Sequence, residues 1–129
     1  MKTNADVDAL ERLIVQLKGL HDEISQLAKK SPNDGLNKFK LKLVNSVIAS
    51  ANTILPPGYR PFSDFSVFLE EDVPSNSDVT LVLTQYIEQV ERFRSDNVTY
   101  HDYEWVYVLG GKPSRTRAKQ STLIGAKEK

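Results

Sequence analysis

The sequence predicts a mainly α protein: a three-helix antiparallel bundle with an aromatic connector and one C-terminal strand-like segment. Three observations carry that expectation. Apolar residues recur at alternating spacings of three and four in three separate stretches. Stops stand between and after them at Pro32, Pro56 and Asn97. Only after Asn97 does the texture change to aromatic and β-branched residues in alternation.

The first helix is expected over residues 8–30, where Leu10, Leu13, Leu17, Leu20, Ile24 and Leu27 fall on one stripe. Asp6 and Asp8 suit its positive end, Lys29 and Lys30 its negative end, and Ser31-Pro32 stops it. Such a helix is about 37 Å long at ~1.5 Å per residue. It is expected to outrun its own core and to have room for a second chain.

Asn33-Asp34-Gly35 is turn chemistry, with Asp34 as the expected cap of a second helix over residues 36–55. Leu36, Phe39, Leu43, Val47, Ala51 and Ile54 are read as its inward face, and Pro56-Pro57-Gly58 ends it. The short loop favours antiparallel neighbours. Lys38 and Lys42 share a face, read as solvated or as partners of an acidic segment.

Residues 56–76 are aromatic, Pro-rich and then acidic. Phe62, Phe65 and Phe68 at three-residue spacing predict a single helical turn that plugs the end of the bundle. Ser77 or Asp78 should cap the third helix, which runs to residue 96 with Val79, Leu83, Tyr86, Val90 and Phe93 inward. Glu88 and Arg92 are spaced to pair along it.

Residues 98–109 read as one strand. A lone strand leaves its backbone groups unpaired, and the candidate partners are residues 65–69, residues 121–125, or the same strand of another copy. Gly110-Gly111 suits a tight hairpin turn, but Pro113 lacks a ladder donor and argues against a long return strand. The expected division is therefore a domain over 1–111 and a basic tail over 112–129.

Composition narrows the function classes. Hydrophobic residues make up 40% and charged residues 26% of the 129, which suits one globular domain and excludes wholesale disorder. No apolar run is long enough to span a membrane, and the N-terminal stretch has acids where a signal peptide needs an apolar core, so a soluble, cytoplasmic protein is expected. The absence of cysteine removes disulfides, thiolate nucleophiles and thiolate-bound metals. The formal net charge of zero conceals a division: residues 1–111 carry 11 bases against 16 acids, and residues 112–129 carry 6 bases against Glu128.

Catalytic patterns are missing. His21 lies on the flank of the first stripe and reads as a hydrogen-bonded structural residue. His101 beside Asp102 and Glu104 is the better candidate for base or metal chemistry, but no second imidazole has ligand spacing. No nucleophile elbow or phosphate loop is present, and Glu70, Glu71 and Asp72 are consecutive, so their side chains diverge. No cofactor and no metal is expected.

Tyr59-Arg60-Pro61-Phe62, Val73 to Asp78, Gln85-Tyr86 and Glu91 to Asn97 form a block over residues 59–97. This block resembles small uncharacterised bacterial proteins of the kind carried on mobile gene cassettes. The resemblance implies a bacterial, self-contained product and carries over no activity and no functional residue.

The function expected from the residues is a non-catalytic protein-interaction module: an adaptor, or an immunity- or antitoxin-like partner. Its contact surface is read as Tyr59, Phe62, Glu70, Glu71, Asp72 and Trp105. The expected partners are the chain itself, most simply as a dimer, and another protein. The competing class is a nucleic-acid-associated protein that contacts phosphates through Arg115, Arg117 and Lys119 in the tail. Those three bases are also expected to pair with acids of residues 64–104, with Leu123 and Ile124 as apolar anchors.

Overall fold

The computed structural model describes residues 1–122. Three helices, α1 (Asn4–Lys30), α2 (Lys38–Ile54) and α3 (Asn76–Asp96), are followed by strands β1 (Val98–His101), β2 (Glu104–Leu109) and β3 (Lys112–Arg117). This α+β arrangement corrects the expectation of a helical bundle with one strand-like segment. Residues 98–109 do not run straight but fold in half, because Asp102 and Tyr103 both take left-handed backbone angles (φ 51° and 66°) and make a two-residue turn. Gly110 and Gly111 (φ 59° and 80°) make the second turn, where lack of a side chain removes the steric cost. The result is an antiparallel sheet of order β1-β2-β3. Pro113 does not prevent the return strand, since β3 is an edge strand and its register shifts by a bulge between Val106 and Val108.

Every strand therefore finds its partner within the chain. Residues 112–117, read as the start of a tail, are β3. Residues 65–69 lie in the connector between α2 and α3 and pair with no strand, and of 121–125 only the first two fall among the described residues.

α1 begins four residues earlier than expected. Thr3 accepts from the Asp6 N–H while the Asp6 carboxylate accepts from the N–H groups of Lys2 and Thr3, a capping box that holds the Asp6 carboxyl below its ordinary range. Its length is about 40 Å at ~1.5 Å per residue, and the expected overhang is covered intramolecularly. α3 packs antiparallel along it, and the sheet meets its N-terminal end, where Gly110 N–H donates to the Met1 carbonyl (3.0 Å) and Thr116 bonds Asn4. Val7, Leu10, Leu13, Leu17 and Ile24 are buried against Val79, Leu83, Tyr86 and Val90. The α1 and α3 stripes are those expected.

α2 is rotated from its expected setting. Asn37, not Asp34, caps it, and the buried set is Leu41, Val44, Val47, Ile48 and Ala51, with Leu36 and Leu55 beyond its ends. Phe39 and Leu43 are 70% and 41% exposed. Leu36, Val47 and Ala51 are buried as expected, but the stretch Lys38–Ile54 carries overlapping apolar stripes, and Leu41, Val44 and Ile48 face the core in place of Phe39 and Leu43. Ser75, ahead of the expected Ser77 or Asp78, caps α3. Loops 32–36 and 73–77 are joined by main-chain hydrogen bonds from Leu36 to Pro74, from Asn76 to Asp34 and from Ser77 to Pro32 (2.9–3.0 Å).

Candidate functional site

The connector from α2 to α3 does not plug the bundle as one helical turn. It runs back along α2, with one 3-10 turn at each end, Pro57–Tyr59 and Glu70–Asp72. At its start the Tyr59 ring packs edge-on against Phe93 (5.1 Å between centroids), its hydroxyl donates to Asp96 (2.5 Å), and the Arg92 guanidinium lies over the ring. Arg92 is thus engaged here and on Gln89, not on Glu88. Phe62 then meets Tyr86 and Phe65, and Phe65 meets Phe68, all edge-to-face. The side chain of Asn45 on α2 fixes the end of this row by accepting from the Phe68 N–H and donating to its carbonyl, both at 2.9 Å.

Extended backbone alternates its side chains, so with Phe68 directed inward Val67 and Leu69 face water. They are 47% and 49% exposed, and Val73, held in a left-handed conformation (φ 46°), is 64% exposed. Of the eight exposed large hydrophobic residues among those described, five (Phe39, Leu43, Val67, Leu69 and Val73) lie on the first half of α2 and the connector stretch beside it. Scattered apolar residues are ordinary on a surface, whereas such a concentration marks a contact area. Charges of both signs border it. Lys38 reaches Glu70 at 3.2 Å, and Lys42, Glu71 and Asp72 make no ion pair among the described residues.

The contact residues expected from the sequence are divided by the fold. Glu70, Glu71 and Asp72 stand at the N-terminal end of α2, in this exposed area. Tyr59 and Phe62 belong to its other end and are half-buried on the core, about 25 Å away along a helix of this length. Trp105 is half-buried on β2, edge-on to Tyr100. The contact residues expected from the sequence do not include Phe39 and Leu43, whose spacing reads as core, or Val67 and Leu69, which carry no distinguishing pattern.

A second cluster holds the chain after β3. Arg94, with only 6% of its side chain exposed, pairs with Glu91 (2.7 Å) and donates to the carbonyls of Lys119 and Gln120 (2.8 Å each). Ser95 and Thr122 hydroxyls bond the same Glu91 carboxylate. Burial pushes the Glu91 carboxyl up, but the hydrogen bonds from Arg94, Thr122 and Ser95 together with the Arg94 charge prevail and hold it at about 2. Beside this clasp a groove of about 390 Å³ runs between α1 and α3, with Ile14, Leu17, Ile87 and Val90 on its walls and Lys18 and Lys119 at its rim.

The tail bases behave individually. Arg117 pairs with Glu104 at 3.0 Å, as expected of a base facing residues 64–104. Lys119 is held through its carbonyl, and Arg115 makes no ion pair among the described residues. Leu123 and Ile124 lie outside the described residues. His21 bonds the Thr84 hydroxyl (3.1 Å), and His101 stands 3.4 Å from Asp102 at the exposed β1–β2 turn. Among the described residues no group of three or more His, Asp or Glu could hold a metal ion, and no helix is long and apolar enough to cross a membrane. Compared with protein-family models, curated proteins and solved structures, the chain matches none.

Proposed function

We propose that the protein is a non-catalytic protein-interaction module of the bacterial cytoplasm, an adaptor or an immunity- or antitoxin-like partner. The observation that supports this reading is the exposure of Phe39 and Leu43 on the first half of α2 and of Val67, Leu69 and Val73 on the connector beside it, with Lys38 and Lys42 between the two groups and Glu70, Glu71 and Asp72 next to them. Exposed apolar side chains interleaved with charges of both signs suit a protein contact. In this reading Glu70, Glu71 and Asp72 belong to the contact, while Tyr59, Phe62 and Trp105 stand away from it, half-buried on the core.

The test is affinity capture with the wild-type chain and with a Phe39→Glu/Leu43→Glu variant whose far-UV circular dichroism matches wild type. A protein retained by the first and lost by the second supports the reading. Retention that is indifferent to both substitutions overturns it.

A nucleic-acid role ranks second. Lys112 and Arg115 stand exposed on the edge strand β3, but Arg117 is neutralised by Glu104, and Asp102 stands at the adjoining turn. Binding of duplex DNA or RNA at low salt, falling steeply as salt rises, would promote this reading.

A further inference from the structure

We infer that the occupant of the exposed α2–connector face is a second copy of this chain, related by a two-fold axis that crosses α2 near residues 39–43. The inference rests on the proposed reading of that face as a protein contact and names its partner.

The argument is one of self-complementarity. A two-fold contact places one patch against itself, so its charges are matched when opposite signs stand on the two sides of the axis along the helix. Here they do. Lys42 and Lys38 lie on the side of α2 nearest the connector, since Lys38 reaches Glu70 and Asn45, on the same side, binds Phe68. The acids Glu70, Glu71 and Asp72 lie on that same flank, displaced toward the N-terminal end of the helix.

An axis perpendicular to α2 keeps each flank on its own side and reverses direction along the helix. The two α2 helices then run antiparallel, and Phe39 of one copy meets Leu43 of the other. Lys42 of one copy, which makes no ion pair among the described residues, comes toward Glu71 and Asp72 of the other, which likewise make none there. Uniformly acidic or uniformly basic rims would repel in this arrangement. The fold itself needs no second copy, because the three described strands are paired and α1 is covered within the chain, so the contact joins finished subunits.

Sedimentation equilibrium of the whole chain at micromolar concentration tests this. Wild type should be dimeric, and Leu43→Glu monomeric with unchanged circular dichroism. Lys42→Glu and Glu71→Lys should each weaken the dimer about tenfold, and the two together in one chain should restore it, since each copy then offers the reversed pair to the other. A contact with a different protein would be harmed by the double reversal, not repaired. A monomeric wild type, or a dimer indifferent to Leu43→Glu and to the reversals, overturns the inference. If wild type is monomeric yet captures a protein in a Phe39- and Leu43-dependent manner, the proposed function survives and only the second copy falls.

Discussion

The guanidinium of Arg94 donates to the main-chain carbonyl of Lys119, 2.8 Å away and 25 residues later in the chain. One side chain near the end of α3 thereby fixes the path that the polypeptide takes after leaving the sheet, and Glu91 completes its hydrogen bonding from below.

Removing that guanidinium leaves the Glu91 carboxylate with only the Ser95 and Thr122 hydroxyls and takes the donor from two carbonyls. Arg94→Ala should therefore cost about 2–3 kcal/mol of unfolding free energy, at or below the range for breaking one side of a fully buried pair because the Glu91 side chain is 36% exposed. Urea unfolding measures the loss. Hydrogen exchange should show residues 118–122 losing protection before α3 does, and equal protection in variant and wild type would refute the clasp.

The same cluster gives a pH dependence of definite sign. Glu91 ionises at about 2 in the fold against 4.5 ordinarily. A carboxyl with a depressed folded value stabilises fully above the unfolded value, and the contribution fades as pH falls from about 4.5 toward 2. Full burial would make it about 3 kcal/mol at ~1.4 kcal/mol per pH unit, but with the Glu91 side chain 36% exposed screening leaves about 1–2 kcal/mol. The stability difference between wild type and Glu91→Gln should shrink by that amount between pH 5 and roughly pH 2 in urea titrations; a difference that stays constant would contradict the assignment.

Gly35 lies against Val73, so closely that a Cβ on Gly35 would stand 2.5 Å from Val73 Cγ1. Gly35→Ala should destabilise by about 1–3 kcal/mol through overpacking at the joined loops. Val73→Gly removes the obstructing methyl group and relieves a left-handed β-branched residue, so the double variant should recover most of the loss. Thermal unfolding of the four proteins closes the cycle, and additive effects would show that the two residues do not touch.

The two stripes of α2 predict unequal costs for chemically equal changes. Leu41→Ala empties a buried position (4% exposed) and should cost about 2–5 kcal/mol. Leu43→Ala, at 41% exposure, should cost under about 1 kcal/mol in the monomer. Chemical denaturation at low protein concentration compares them, and equal losses would mean that α2 is rotated from the setting described.

Replacing Asp102-Tyr103 by Asn-Gly should stabilise the sheet by about 1 kcal/mol, because both positions demand left-handed backbone that Asn and Gly adopt readily. A fall in melting temperature would argue that the Tyr103 side chain, 93% exposed, contributes something beyond the turn.

The helices were legible in the residues to different degrees, for a physical reason. In α1 and α3 a single stripe offers one way to face the core, and Val79, Leu83, Tyr86, Val90 and Phe93 are all buried as the spacing requires. In α2 the spacing is degenerate, and tertiary packing alone decides between Leu41 and Leu43. The sheet was hidden by a turn without glycine at Asp102-Tyr103, which left two short strands looking like one. Of the candidate site, the acids of 70–72 were visible as charge, whereas Phe39 and Leu43 were concealed by assignment to the core. Arg94 had a spacing signal in its three-residue separation from Glu91, but nothing local foretold the carbonyls that it holds.

The order of the elements along the chain has a consequence for biosynthesis. α1 packs chiefly on α3 and only lightly on α2, although α2 follows it directly. Leu17 and Val90 share one groove, and the roughly 70 residues between them take about 4–14 s to make at ~5–20 residues per second. α1 is long and capped at Thr3, so it can coil early, yet for those seconds Leu10, Leu13, Leu17 and Ile24 have no lasting cover. A ribosome stalled before α3 would hold out an amphipathic helix with most of its apolar stripe in water, and it is at that stage, not after release, that this chain would first need a chaperone.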